Sequence, residues 1–71
     1  MPEMIPVESS NLKAIGYNPE DQMLYVDFLN NTTYRYSGVP EDVFNAFLES
    51  DSKGQFLHRN IKMAGYEYER L

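Results

Sequence analysis

Three residues in the middle of this 71-residue chain have the types and spacing to bind a flat ligand: Tyr34, Arg35 and Tyr36. Two tyrosines at i and i+2 lie on one face of a strand, where their rings can stack unpaired nucleobases. The same pair can equally be core or rim packing, with the hydroxyls reaching water. A second set, Ser52 and Lys53 with Arg59 and Lys62, offers helix N–H groups and cations for a phosphate or other anion. Against that, Ser52 and Gln55 have capping-box spacing and would satisfy those N–H groups themselves, and Asp51 beside them opposes an anion. Nothing else suggests reaction chemistry. His58 is the only histidine and has no partner for metal or catalytic work. Glu20-Asp21 and Glu41-Asp42 read as a turn and a helix start, not as facing carboxylates for acid–base work. Ser9 and Ser10 have no base near them in sequence. The expectation is therefore a binding module and not an enzyme, with no metal and no cofactor.

The elements that must position these residues centre on Met23 to Tyr36. Leu24, Val26 and Phe28 alternate with Met23, Tyr25, Asp27 and Leu29, the period of a half-buried antiparallel strand. Asn30-Asn31 turns the chain into a third strand, Thr32 to Ser37. The turn admits two registers. A two-residue turn pairs Tyr25 with Tyr36 and Asp27 with Tyr34, which displays the tyrosines. A three-residue loop with Asn31 left-handed pairs Leu24 with Tyr36 and Val26 with Tyr34, which puts them on the core face. A slip of one residue exchanges the faces.

Upstream, Leu12 to Tyr17 reads as the first strand, with Gly16 marking a bulge or a close approach, and Asn18 to Asp21 as a turn. Residues 1–6 read as a loose arm, with Ile5 to Val7 able to join a sheet edge. Downstream, Pro40 suits the first helical position, and Glu41 and Asp42 favour the positive end of the helix dipole. Val43, Phe44, Phe47 and Leu48 form one apolar face. A second helix opens at Ser52, with Phe56, Leu57, Ile61 and Ala64 inward, and stops at Gly65. Tyr66 to Glu69 alternates as a short edge strand or an extended tail. The expected fold is α+β: a three-stranded antiparallel β-meander followed by two short helices packed on one face, as a single domain over residues 1–71.

Composition narrows the function classes. The chain has ten aromatics (six Tyr, four Phe) and no cysteine, so neither disulfides nor thiolates staple it. A domain this small is marginal alone and needs either a good core or self-association. The net charge is −5, unevenly spread. Residues 1–51 carry nine carboxylates against Lys13 and Arg35, whereas residues 52–71 carry four cations against Glu67 and Glu69. Such a field repels nucleic acid overall and leaves the C-terminal patch as its one basic footprint. No apolar run reaches membrane length and no targeting peptide is visible, which points to the cytoplasm.

Several segments together resemble a known family. They are Ser9-Ser10-Asn11-Leu12, Ile15-Gly16-Tyr17-Asn18, Leu24-x-Val26-x-Phe28, Tyr34-x-Tyr36, Val39-Pro40, Ser52-x-Gly54-x-Phe56 and Asn60-Ile61-Lys62. Their order and spacing resemble the KTSC domain, found at the C-terminus of some lysyl-tRNA synthetases and as small stand-alone bacterial or phage proteins. Asn31 stands where that family often has Gly, and Ser50 where Ala is frequent. The resemblance carries no catalytic residues and implies RNA as a partner. The alternative partner is a protein, or a second copy of the chain in a homodimer pairing through the sheet face or edge.

Overall fold

The computed structural model describes residues 2–71. Five strands form one antiparallel sheet in chain order: β1 (Ile5–Pro6), β2 (Leu12–Asn18), β3 (Met23–Phe28), β4 (Thr33–Tyr36) and β5 (Tyr68–Arg70). Helix α1 (Glu41–Glu49) and helix α2 (Lys53–Phe56) come between β4 and β5, and α2 widens into a π-helical turn over Leu57–Lys62. The class is the α+β expected, but the sheet has five strands rather than three. The two additions are the short segments at either end. Ile5 pairs with Ile15 and Pro6 with Ala14, so this part of the arm joins the sheet edge, while Met1 lies outside the described residues. Tyr68 pairs with Tyr36 and Arg70 with Tyr34, which makes the Tyr-Glu alternation a strand.

The hairpin takes the three-residue register. Leu24 faces Tyr36 and Val26 faces Tyr34. Asn31 sits at φ 68°, and its amide bonds the Phe28 carbonyl at 3.0 Å. Asn tolerates that left-handed backbone better than most side chains. Asn30 Oδ1 accepts the Thr32 amide and hydroxyl, which fixes the far side of the loop. Both tyrosines therefore join the Leu24-Val26-Phe28 face, and the displayed alternative is excluded.

That face carries the core. Leu12, Ile15, Leu24, Val26 and Tyr36 meet Val39, Phe44, Phe47, Leu57 and Ile61 from the helical side, all buried. Tyr17 stacks on Phe44 at 5.0 Å and donates its hydroxyl to the Val39 carbonyl. Phe47 stacks on Phe56 at 5.1 Å and ties α1 to α2. Pro40 caps α1 instead of occupying its first turn. In the π turn the Met63 amide reaches back five residues to the His58 carbonyl. The wider turn changes the helical phase: Leu57 and Ile61 stay buried, while Ala64, expected on the apolar face, is exposed.

The other face of the sheet has a different cover. A Cβ on Gly16 would lie 2.7 Å from Met4 Sδ and 2.9 Å from the Glu3 carbonyl. Gly16 is thus a close-approach point, where Pro2 to Met4 cross the sheet. The bulge lies earlier, between Leu12 and Ala14.

Candidate functional site

The sheet's core face is not covered to its end. Beyond the helices, β4 and β5 form one wall of an open groove of about 470 Å³. Tyr34 and Tyr36 project from β4, and Tyr68 from β5, on the same face. Their ring centroids lie 5.9 Å apart for Tyr34–Tyr68 and Tyr36–Tyr68, and 6.4 Å apart for Tyr34–Tyr36. Phe28 meets the edge of Tyr34 at 5.6 Å. Lys62 from the π turn holds its Nζ 6.0 Å from the Phe28 ring centroid. Tyr66 closes the helical side, and Asn30 and Thr32 form the rim at the hairpin loop.

The three tyrosines differ in what they offer. Tyr36 is 2% exposed and backs the groove as part of the core. Its hydroxyl is pushed above its ordinary pKa, first by burial and then by Tyr34 and Tyr68 beside it. Tyr34 is half-buried, and Tyr68 is 66% exposed. A ligand would therefore meet the rings of Tyr68, Tyr34 and Tyr66, with Tyr36 keeping the wall rigid. An aromatic wall beside a single ammonium group suits a planar, electron-rich ligand bearing negative charge.

The residues singled out in the sequence divide. Tyr34, Tyr36 and Lys62 come together in the groove. Arg35 points through the opposite face, where its Nη2 donates to both carboxylate oxygens of Glu69, at 2.9 and 3.0 Å. Its pKa is raised, first by the neighbouring Tyr25 and then by Glu69. Lys53 donates its ammonium to the Ser50 carbonyl and closes the α1–α2 corner. Ser52 Oγ accepts the Gln55 amide at 3.3 Å, the capping half of the expected box. Ser52 and Arg59 line a separate, shallower depression with Gln55, Phe56 and Asn60. The basic residues thus do not form one patch.

Phe28, Tyr66 and Tyr68 also belong to the groove, beyond the residues that the sequence alone marks as candidates. A usable signal existed for Tyr66 and Tyr68, whose i, i+2 spacing repeats that of Tyr34 and Tyr36. Another contact joins two of the conspicuous sequence segments: a Cβ on Gly54 would meet Asn11 Oδ1 at 3.2 Å. Ser9 Oγ accepts the Leu12 amide and donates to Asn11 Oδ1, which shapes the loop for that contact. No helix is long and apolar enough to cross a membrane among the described residues.

These features define a small α+β domain with a half-covered sheet and an aromatic groove at its β4–β5 end. The KTSC domain family model matches residues 8–68, and the chain belongs to that family. The fold matches the crystal structure of a KTSC domain protein from Yersinia pestis with a TM-score of 0.92 and 36% identity, over 97% of this chain and 96% of that one. An uncharacterized protein of Stutzerimonas stutzeri is 40% identical over 67 residues, 94% of each chain. A lysine–tRNA ligase of a Nostoc species is 35% identical over 68 residues, which are 96% of this chain and 12% of the ligase.

Proposed function

We propose that the protein is a non-enzymatic binding module whose tyrosine groove takes unpaired nucleotides of RNA. One observation carries the reading: Tyr34, Tyr36 and Tyr68 form a mutually contacting aromatic wall open to solvent beside Lys62. Stacking a base on such a wall is worth about 1–3 kcal/mol and is tolerant of sequence. Lys62 supplies a phosphate contact. The groove's volume suits one or two nucleotides rather than a long tract, so the preferred target is a loop or an end with splayed bases. The ligase relatives add context, since their names make tRNA their substrate and a segment like this chain is part of them. The acidic remainder of the chain keeps the affinity low. With few phosphates neutralised, the salt dependence is shallow. Pairing with protein is favoured by a different feature, the open edge of β5 beside the groove.

A fluorescence or gel-shift titration at low salt, with single-stranded RNA and with tRNA, tests this. Tyr68→Ala and Lys62→Ala are each expected to weaken binding several-fold, and Lys53→Ala to leave it unchanged. Absence of binding to either RNA, or equal binding by a Tyr68→Ala/Lys62→Ala double variant, would sink the reading.

A further inference from the structure

The sheet ends in two edges, and the chain treats them differently. At the β1 edge, the Val7 amide bonds the Lys13 carbonyl and Ile5 pairs with Ile15, so the residue between them, Pro6, faces outward. Proline has no N–H to offer, and an outward proline blocks strand addition. At the β5 edge, the Ser37 amide bonds the Glu67 carbonyl and the Leu71 amide bonds the Thr33 carbonyl. Alternation then turns Tyr68 and Arg70 outward with both their N–H and C=O groups unused by β4. No proline, lysine or bulge guards this edge, and Tyr68 and Leu71 are 66% and 52% exposed on it.

We infer that the open edge of β5 pairs antiparallel with the same strand of a second copy, placing Arg70 of the second copy beside Tyr68 in the groove. Three in-register arrangements use outward residues of both copies, and charge chooses among them. Pairing Tyr68 with Tyr68 sets Glu67 against Glu69 twice, and like charges directly opposite destabilise a sheet. Pairing Arg70 with Arg70 sets two guanidinium groups against each other. Pairing Tyr68 with Arg70 satisfies all four outward backbone groups of each copy. It puts a guanidinium over a tyrosine face at both ends of the seam. Its one like-charge contact is Glu69 with Glu69, and each of these carboxylates is already held by its own Arg35 at 2.9 Å. Among the described residues that is the only ion pair, so Arg70 has no carboxylate partner within its own chain. In this register the groove-face rows run Tyr36, Tyr68, then Arg70 and Tyr34 of the second copy. The two grooves become one aromatic strip, in which each Arg70, already opposite its own Tyr34, also lies beside Tyr68 of the second copy. The seam is only three residues long per copy, so the dimer is of the weak, concentration-dependent kind. The pairing does not depend on the RNA reading.

The register has a chemical readout because the chain has no cysteine. Glu69 and its symmetry mate form a non-hydrogen-bonded pair with Cα atoms about 4.5 Å apart, within disulfide range. Under mild oxidation, Glu69→Cys is expected to form a disulfide-linked dimer about tenfold faster than Glu67→Cys or Ser10→Cys, whose geometry does not suit the bond. Sedimentation equilibrium of the unmodified protein is expected to show reversible dimerisation, abolished by Arg70→Pro. That substitution removes an outward N–H together with the guanidinium of the seam, and leaves the backbone bonds to β4 in place. A strictly monomeric protein at the highest attainable concentration overturns the proposal. So does equal or faster crosslinking through Glu67→Cys, or a folded Arg70→Pro protein that still dimerises.

Discussion

The two faces of the sheet come from the same alternating strands but are finished in different ways. On one face, Leu24, Val26 and Tyr36 are sealed by α1 and the π turn, and the aromatic row runs on into the open groove. On the other, Gly16, Tyr25, Arg35 and Glu69 form a cross-strand row, and the cover at Gly16 is the N-terminal arm. The first is a core with an open aromatic edge; the second is a thin contact surface stitched by one exposed ion pair. A sheet in so small a domain can bury one face with helices and only patch the second with whatever chain is left. The difference puts the buried core on one side and the N-terminal cover on the other.

The contrast can be broken most forcefully from the core side. Ile15→Ala, at a fully buried position facing Val26, is expected to cost about 2–5 kcal/mol, read as a lowered midpoint in urea. Gly16→Val attacks the other face one residue later. Its side chain enters the space of Met4 and the Glu3 carbonyl, with an expected loss of about 1–3 kcal/mol. Proteolysis should then begin in the arm, while RNA titrations of the groove stay unchanged. Loss of both together would mean the faces are not independent. The smallest effect is a pH dependence. Burial raises the Tyr36 pKa above its ordinary value of 10.0, so the fold favours the neutral phenol. Its contribution is therefore complete below pH 10 and is lost as pH rises through the raised value. Tyr17, raised by burial and then by Glu41, Asp42 and Asp21, acts in the same direction. Thermal melts across that range should show an alkaline decline that Tyr36→Phe lessens; an unchanged decline would assign it to Tyr17 alone.

Much of the architecture was legible because it follows from local patterns. The strand alternation of Met23 to Phe28, the acidic start of α1 and the Ser52 cap each rest on neighbours within a few residues. The hairpin register was narrowed to two possibilities and no further, since Asn30-Asn31 suits both; the left-handed Asn31 decides it. Strand β5 stood as one of two options because its partner, β4, lies on the far side of both helices in sequence. The groove was half visible for the same reason: Tyr34 and Tyr36 were read, but their third ring arrives with β5. The inward placing of Ala64 failed because a π turn breaks the 3.6-residue period, and no residue in Leu57 to Lys62 signals that. Arg35 beside the tyrosines and Lys53 at the helix start look free in sequence, but each is engaged by the fold, Arg35 by Glu69 and Lys53 by the Ser50 carbonyl.

The sheet order matches the chain order, so every strand but one finds its partner across a short loop or turn. Such pairings close quickly, and only β5 must wait for the helices to form before it can dock on β4. The strand that completes the groove is thus thinly anchored: three residues, no buried side chain, and a seam to β4 alone. In hydrogen exchange its amides should open in a unit of their own, well below the energy of global unfolding. The β5 side of the aromatic wall is the hinged part of the domain, and anything that occupies the groove or the edge beside it would also finish the folding of the sheet.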